Sequence, residues 1–178
     1  MDDRARELSL FTGSGGGILG SKLLNHKIIG MVEYNEYCQQ VLAQRIADGH
    51  IDKCPIFTDV REFIQSGAAE QYRGITDIIT GGPPCQSFSV AGKQLGEHDE
   101  RNMWPATIDI VRIVRPTRFL FENVPGMLRF EYTKTVFAQL ANLGYGFKYG
   151  IISASDVGAR HKRARLWIVG KREDVANA

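Results

Sequence analysis

The chain has 178 residues, 43% of them hydrophobic and 24% charged, with a formal net charge of +2. That length suits one sizeable core in a single domain over residues 1–178, and the near-neutral balance confines any nucleic-acid contact to local basic clusters. No run approaches the roughly 18 consecutive apolar residues of a membrane span, and the mixed start "MDDRARELSL" is not a signal peptide.

Strand-like and helix-like segments alternate along the chain. "ELSLF" (7–11) reads as a short strand ending in a glycine loop, and "GILGSKLLNH" opens a helix. "KIIGMVE" (27–33) is the next strand, followed by the helical "NEYCQQVLAQRIADGH", closed by Gly49. "CPIFTDV" (54–60) is a third short strand, and "REFIQSGAAEQYR" a further helix or helical turn. "GITDIIT" is a fourth strand, "MWPATIDIVRIVR" a helix ending before Pro116, and "RFLFE" (118–122) a fifth strand. "TKTVFAQLANLG" is an amphipathic helix, and "YGFKYGIISASD" and "RARLWIVG" are late strands that suit a hairpin at the sheet edge. The alternation implies an α/β protein with a Rossmann-like, doubly wound, mostly parallel sheet and an antiparallel edge hairpin. Ligands of such sheets sit beyond the carboxyl ends of the strands.

The unusual residues gather at that rim. The first strand runs into "FTGSGGG", the second ends in Glu33, the third in Asp59, the fourth in "GGPPC" and the fifth in "ENV". Singly these are weak signals: a glycine turn serves any tight connection, and an acid after a strand is often a helix cap. Together they describe a nucleoside-type cofactor site beside a nucleophile. Glu33 follows the first glycine turn by about 20 residues, the spacing at which an acid reaches ribose hydroxyls. The loop is neither G-x-G-x-x-G nor a phosphate loop with its lysine, so a nucleoside without phosphates fits better and hydride transfer becomes a distant alternative. In "TGGPPCQSFS", paired glycines allow close approach and paired prolines stiffen the backbone. The mount aims Cys85, as a nucleophile requires. Cys38, Cys54 and Cys85 have neither disulfide nor zinc spacing, which indicates reduced thiols, a cytoplasmic setting and no metal site.

"LFTGSGG", "GGPPCQSFSVAGKQ", "FENVPGM" and "RHKRARLWIVG", in that order, resemble the cytosine-5 DNA methyltransferases from about Leu8 to Gly170. The resemblance implies S-adenosylmethionine as cofactor and cytosine in DNA as substrate. By matching position, Phe11, Gly13, Ser14, Gly16 and Tyr34 would contact the cofactor, with Glu33 at its ribose and Asp59 and Val60 at its adenine. Gly82 and Trp104 would complete that pocket. Cys85, Glu122, Arg163 and Arg165 would form the catalytic group, and Gln86, Ser87, Ser89 and Lys93 would contact DNA.

The chemistry asks for these residue types. A thiolate adding to carbon 6 of cytosine makes carbon 5 able to take a methyl group, and a partly buried carboxyl such as Glu122 suits proton donation to the ring. Arg163 and Arg165, two apart on a strand, would share a face and orient Glu122, while Ala164, Leu166 and Ile168 face the core. Because a base inside a duplex is out of reach, the cytosine must be flipped out. The long polar loop 86–102 is expected to close as a flap, with Gln86 and Ser87 entering the gap left by the base.

Two departures stand out. His161 occupies a position where the family has glutamine. Family members also continue past "WIVG" with a target-recognition domain, whereas this sequence runs to Ala178. The expectation is a catalytic and cofactor-binding part without that domain: a fragment inactive alone, one subunit of a split enzyme completed by a second chain, or a non-catalytic cofactor- or DNA-binding module.

Overall fold

The computed structural model describes residues 2–84 and 102–173. Its strands are β1 (Arg6–Leu10), β2 (Lys27–Val32), β3 (Ile56–Phe57), β4 (Ile78–Gly81), β5 (Arg118–Asn123), β6 (Tyr145–Ser153) and β7 (Ala164–Arg172). Between them lie helices α1 (Gly16–Leu23), α2 (Glu36–Ala47), α3 (Val60–Gln65), α4 (Trp104–Val114) and α5 (Glu131–Asn142). The sheet order is β3-β2-β1-β4-β5-β7-β6. Strands β1 to β5 pair in parallel, and β7 runs antiparallel between β5 and β6. This is the expected Rossmann-like sheet with its late hairpin, and β6 and β3 are its two edges.

Local chemistry sets the boundaries. Asn35 caps α2 by accepting from the Cys38 N–H at 3.0 Å, and Gly49 leaves it with φ 73°. The third strand covers only Ile56–Phe57 of the expected 54–60. Pro55 has no N–H to add to the ladder, and Asp59 already caps α3, accepting from the Arg61 N–H at 2.6 Å. The helical stretch after it breaks at Gly67, φ 76°, into α3 and a 3-10 turn, Ala69–Tyr72.

Alternation along the strands builds two unequal cores. One face carries Leu8, Leu10, Ile79, Phe119, Phe121, Leu166 and Ile168, packed against residues of α3, α4 and α5 in one continuous cluster. On this face the fully buried Phe119 ring lies across Gly170, so an added Cβ would run into it. The opposite face is covered by α1 and α2 through a small cluster of Ile18, Ile28, Met31, Leu42 and Ile51.

The start of β1 is tied to β4 by Asp77. Its carboxylate accepts from the Arg6 backbone N–H at 2.8 Å and from the guanidinium at 2.9 and 3.0 Å. These bonds hold the Asp77 carboxyl below the usual carboxylate range.

Two outcomes follow from this packing. Gly170→Ala should lower stability in urea by about 1–3 kcal/mol through overpacking, whereas Gly150→Ala, with open space around it, should change it by less than about 0.5 kcal/mol. Asp77→Asn should cost no more than about 1 kcal/mol near neutral pH, because the pair is half-exposed. Since folding depresses the carboxyl, that contribution is complete above about pH 4 and is lost as pH falls through the lower folded value. The urea midpoints of wild type and variant should therefore converge in acid.

Candidate active site

The loop between β1 and α1 closes on the end of β2. Phe11 and Gly13 adopt left-handed backbone, φ 52° and 58°, and Gly15 caps α1 at φ 87°. A left-handed phenylalanine costs energy and persists only where surrounding bonds impose it. Those bonds are visible: Thr12 N–H donates to Val32 O at 3.2 Å, and the Thr12 hydroxyl donates to Ser9 O at 3.0 Å. The main clasp is Glu33. One carboxylate oxygen accepts the Gly13 N–H at 2.6 Å and the other accepts the Asn35 N–H at 2.8 Å. Each oxygen keeps a further lone pair. A Cβ built on Gly13 or Gly16 would meet no atom within 4 Å, so the backbone there can be approached closely.

Across the rim, β4 and β5 end side by side. Gly81 is confined by Leu10, whose carbonyl oxygen would lie 2.9 Å from an added Cβ, and at Gly82 such an atom would lie 3.2 Å from Glu122 Oε2. The Glu122 carboxylate pairs with Arg165 Nε at 2.6 Å, and both side chains remain partly exposed. Beside it, buried Asn123 donates from Nδ2 to Pro83 O at 3.2 Å. Its Oδ1 accepts the Val124 N–H at 2.8 Å. The middle residue of "ENV" thus anchors the proline pair that follows β4. That role was not apparent from the sequence, where Asn123 is only the neighbour of an acid.

The remaining assigned residues divide clearly. Tyr34 is exposed after β2, Val60 is buried at the start of α3, and Asp59 caps that helix. Asp59 also borders a cavity of about 440 Å³ lined in part by Phe57, Phe63 and Ser66. Gly82 lies against Glu122. Trp104 is fully buried, edge-on to Phe121 at 5.7 Å, and its indole nitrogen has no hydrogen-bond partner among the described residues. It offers no open surface to a ligand. Arg163 does not join Arg165 on the strand. It precedes β7, stays exposed, and donates its backbone N–H to Ser153 Oγ at 3.2 Å. Only Arg165 reaches Glu122. Cys85, Gln86, Ser87, Ser89 and Lys93, and with them the expected flap, lie outside the described residues. Among the described residues there is no cluster of potential metal ligands and no helix long and apolar enough to cross a membrane.

The sheet order, the glycine loop and the acids at the strand ends define the fold of S-adenosylmethionine-dependent methyltransferases. Solved structures agree. The chain superposes on DNMT2 of Spodoptera frugiperda with a TM-score of 0.75 at 21% identity, over 97% of this chain and 51% of that one. It also superposes on a DNA modification methyltransferase encoded within an Escherichia coli prophage, with a TM-score of 0.69 at 26% identity, over 94% of this chain and 47% of that one. The chain belongs to the C-5 cytosine-specific DNA methylase family, whose profile matches residues 5–178. Among curated relatives, it is 34% identical to the Type II methyltransferase M.NgoMIV of Neisseria gonorrhoeae, over 96% of this chain and 53% of that protein. It is 31% identical to M.AquIA of Picosynechococcus, over 93% of this chain and 71% of that protein. For most such relatives the chain spans about half of their length or less.

Glu33 has a measurable structural share. Glu33→Ala removes the acceptor of two backbone N–H groups, so the ligand-free protein should lose about 1.5–3 kcal/mol, read as a fall in urea midpoint. A glutamate that served a ligand alone would leave the ligand-free stability unchanged.

Proposed function

We propose that the chain is the catalytic and cofactor-binding part of a DNA cytosine-5 methyltransferase. The observation that carries this reading is the Glu122–Arg165 pair at 2.6 Å, set beside Gly82 and the anchored Pro83, two residues before Cys85 in the chain. A carboxylate held by a guanidinium, next to a stiff segment leading into a cysteine, is the constellation that addition to a cytosine ring requires.

The residues suit S-adenosylmethionine. Open space over Gly13 and Gly16 leaves room for a ligand against the backbone. The spare lone pairs of Glu33 suit two ribose hydroxyls, and the N–H groups that open α1 and α3 have no partners within those helices. When bound, this cofactor supplies an electrophilic methyl group on a sulfonium. The Cys85 thiolate forms a bond from Sγ to carbon 6 of cytosine, and the displaced ring electrons reach N3 and carbon 5. Glu122 meets that charge at N3 and the exocyclic amine, oriented by Arg165. Carbon 5 would take the methyl group as its bond to the sulfonium breaks and a neutral thioether is left, and would then give up its proton to a base as the thiolate departs and the ring double bond re-forms. Reading a target sequence in duplex DNA falls to a further part of the assembly, on the same polypeptide or on a second chain. The longer span of the curated relatives supports that division.

The test is covalent trapping on 5-fluorocytosine DNA by a complete assembly containing these residues. Trapping should require S-adenosylmethionine and should vanish in Cys85→Ser. An adduct that persists in Cys85→Ser would assign the nucleophile to Cys38 or Cys54.

A further inference from the structure

The two edges of the sheet are unequal. β3 has two residues, whereas β6 runs for nine, Tyr145–Ser153, against about 5–6 for a typical strand. It pairs with β7 without a break in register. Unpaired N–H and C=O groups along an edge invite a further strand, so edges are normally blunted by charges, proline or a bulge. The stretch "YGFKYGIIS" carries one charge, Lys148, and no proline.

Hydrogen-bond parity tells which groups are open. Glu173 N–H donates to Gly144 O, and Ala154 N–H donates to Arg163 O. Bonded pairs recur at every second residue of an antiparallel ladder, so the even-numbered residues of β6 bond to β7. Phe147, Tyr149 and Ile151 turn their N–H and C=O groups outwards. The next outward N–H, that of Ser153, donates to the Asp156 carboxylate at 2.8 Å and ends the open ladder. The side chains mark the same block. Lys148 to Ile152 are all exposed, and Phe147 and Ser153 on either side are half-buried. Tyr149 and Ile151 share the face of Phe137, whose ring lies 4.9 Å from that of Tyr149. The open block is centred on Gly150.

Such a block is complementary to itself. Antiparallel pairing about a two-fold axis at Gly150 sets Tyr149 opposite Ile151 of a second copy, and Ile151 opposite its Tyr149. Each of these pairs exchanges two backbone bonds, and aromatic and β-branched side chains are favourable cross-strand neighbours. Charge selects the same register. Lys148 falls opposite Ile152, four residues or roughly 13 Å along the strand from its own counterpart, which exceeds the Debye length of about 8 Å. Centring the pair on Lys148 would set two lysines face to face. Centring it on Tyr149 would leave them only two residues, roughly 7 Å, apart along the strand. At the axis itself Gly150 has open space around it.

We propose that two copies of this chain associate through β6, antiparallel about Gly150, and join their seven-stranded sheets into one. The proposal rests on the ladder, the exposed block and the placement of Lys148, independently of the methyl-transfer reading. The two-fold axis reverses one sheet against the other, so the two candidate sites face opposite ways. One strand pair is a small interface, and the dimer should form only at about 10 μM and above.

Sedimentation of the 178-residue chain from about 1 to about 200 μM should show a monomer–dimer equilibrium. Ile151→Pro removes an outward N–H, a change that an edge strand accepts. It should weaken association at least tenfold while far-ultraviolet circular dichroism stays that of wild type. A second measurement reads the register and does not depend on that variant folding. Opposed residues of a non-hydrogen-bonded pair lie about 4.5 Å apart at Cα, within reach of a disulfide. On oxidation with diamide, Gly150→Cys should cross-link into a dimer at least tenfold faster than Lys148→Cys, whose thiol would face Ile152. A chain that stays monomeric throughout, association unchanged by Ile151→Pro, or equal cross-linking of the two cysteine variants would overturn the proposal.

Discussion

Glu7 is a carboxylate only 1% exposed, on β1, an interior strand of the sheet. A buried charge is tolerated only where donors replace its water. Ser21 and Thr80 hydroxyls donate to one oxygen, and His26 Nδ1 lies 2.8 Å from the other. Those partners come from α1, from β4 and from the turn into β2, so the requirement to satisfy one carboxylate joins three segments to β1. It also seats α1 over the strand, and with it the glycine loop that leads from β1 into the helix. The candidate site at the carboxyl rim therefore depends on a polar cluster near the other end of the same strands.

At the rim the same device recurs twice. Glu33 bridges the β1–α1 loop and the segment after β2, and Asn123 bridges the end of β5 to Pro83 beyond β4. Each short polar side chain ties its strand end to a segment from another part of the chain. Catalysis by positioned groups demands that kind of stiffness, because small displacements at a site cost large factors in rate. Both residues leave room for chemistry: each Glu33 oxygen retains a further lone pair, and Asn123 holds the proline segment while the adjacent Glu122 pairs with Arg165.

The two faces of the sheet show how far this stretch of chain satisfies itself. One layer of three helices packs on the face carrying Leu8, Phe119 and Ile168, although Tyr149 and Ile151 at its β6 edge are 54% and 52% exposed. The other ends at a polar divide and leaves Val169 and Ile152 to water. Strands β5 and β7 carry apolar residues on both faces, as an interior strand should, and among the described residues the buried cluster on them lies on the face of Phe119 and Ile168.

Much of this architecture was legible in the amino-acid sequence. Period and punctuation mark the strands and helices, since apolar runs, glycine stops and prolines act locally. The order of acids, glycines and the cysteine at successive strand ends follows from the alternation of β and α, because a parallel sheet delivers every such end to one rim. The family motifs place Glu33, Glu122 and Arg165 there as well. Only the tertiary structure separates Arg165 from Arg163: two residues apart, they share a face only if both belong to the strand, and β7 begins between them at Ala164. Only it shows that Asn123 anchors Pro83 and that Trp104 is sealed against Phe121, for these depend on which strands become neighbours. The same holds for Glu7, whose partners are 14, 19 and 73 residues away in the chain. Sequence patterns record what a residue needs from its immediate neighbours and from burial as such. Which distant group meets that need is decided when the chain folds.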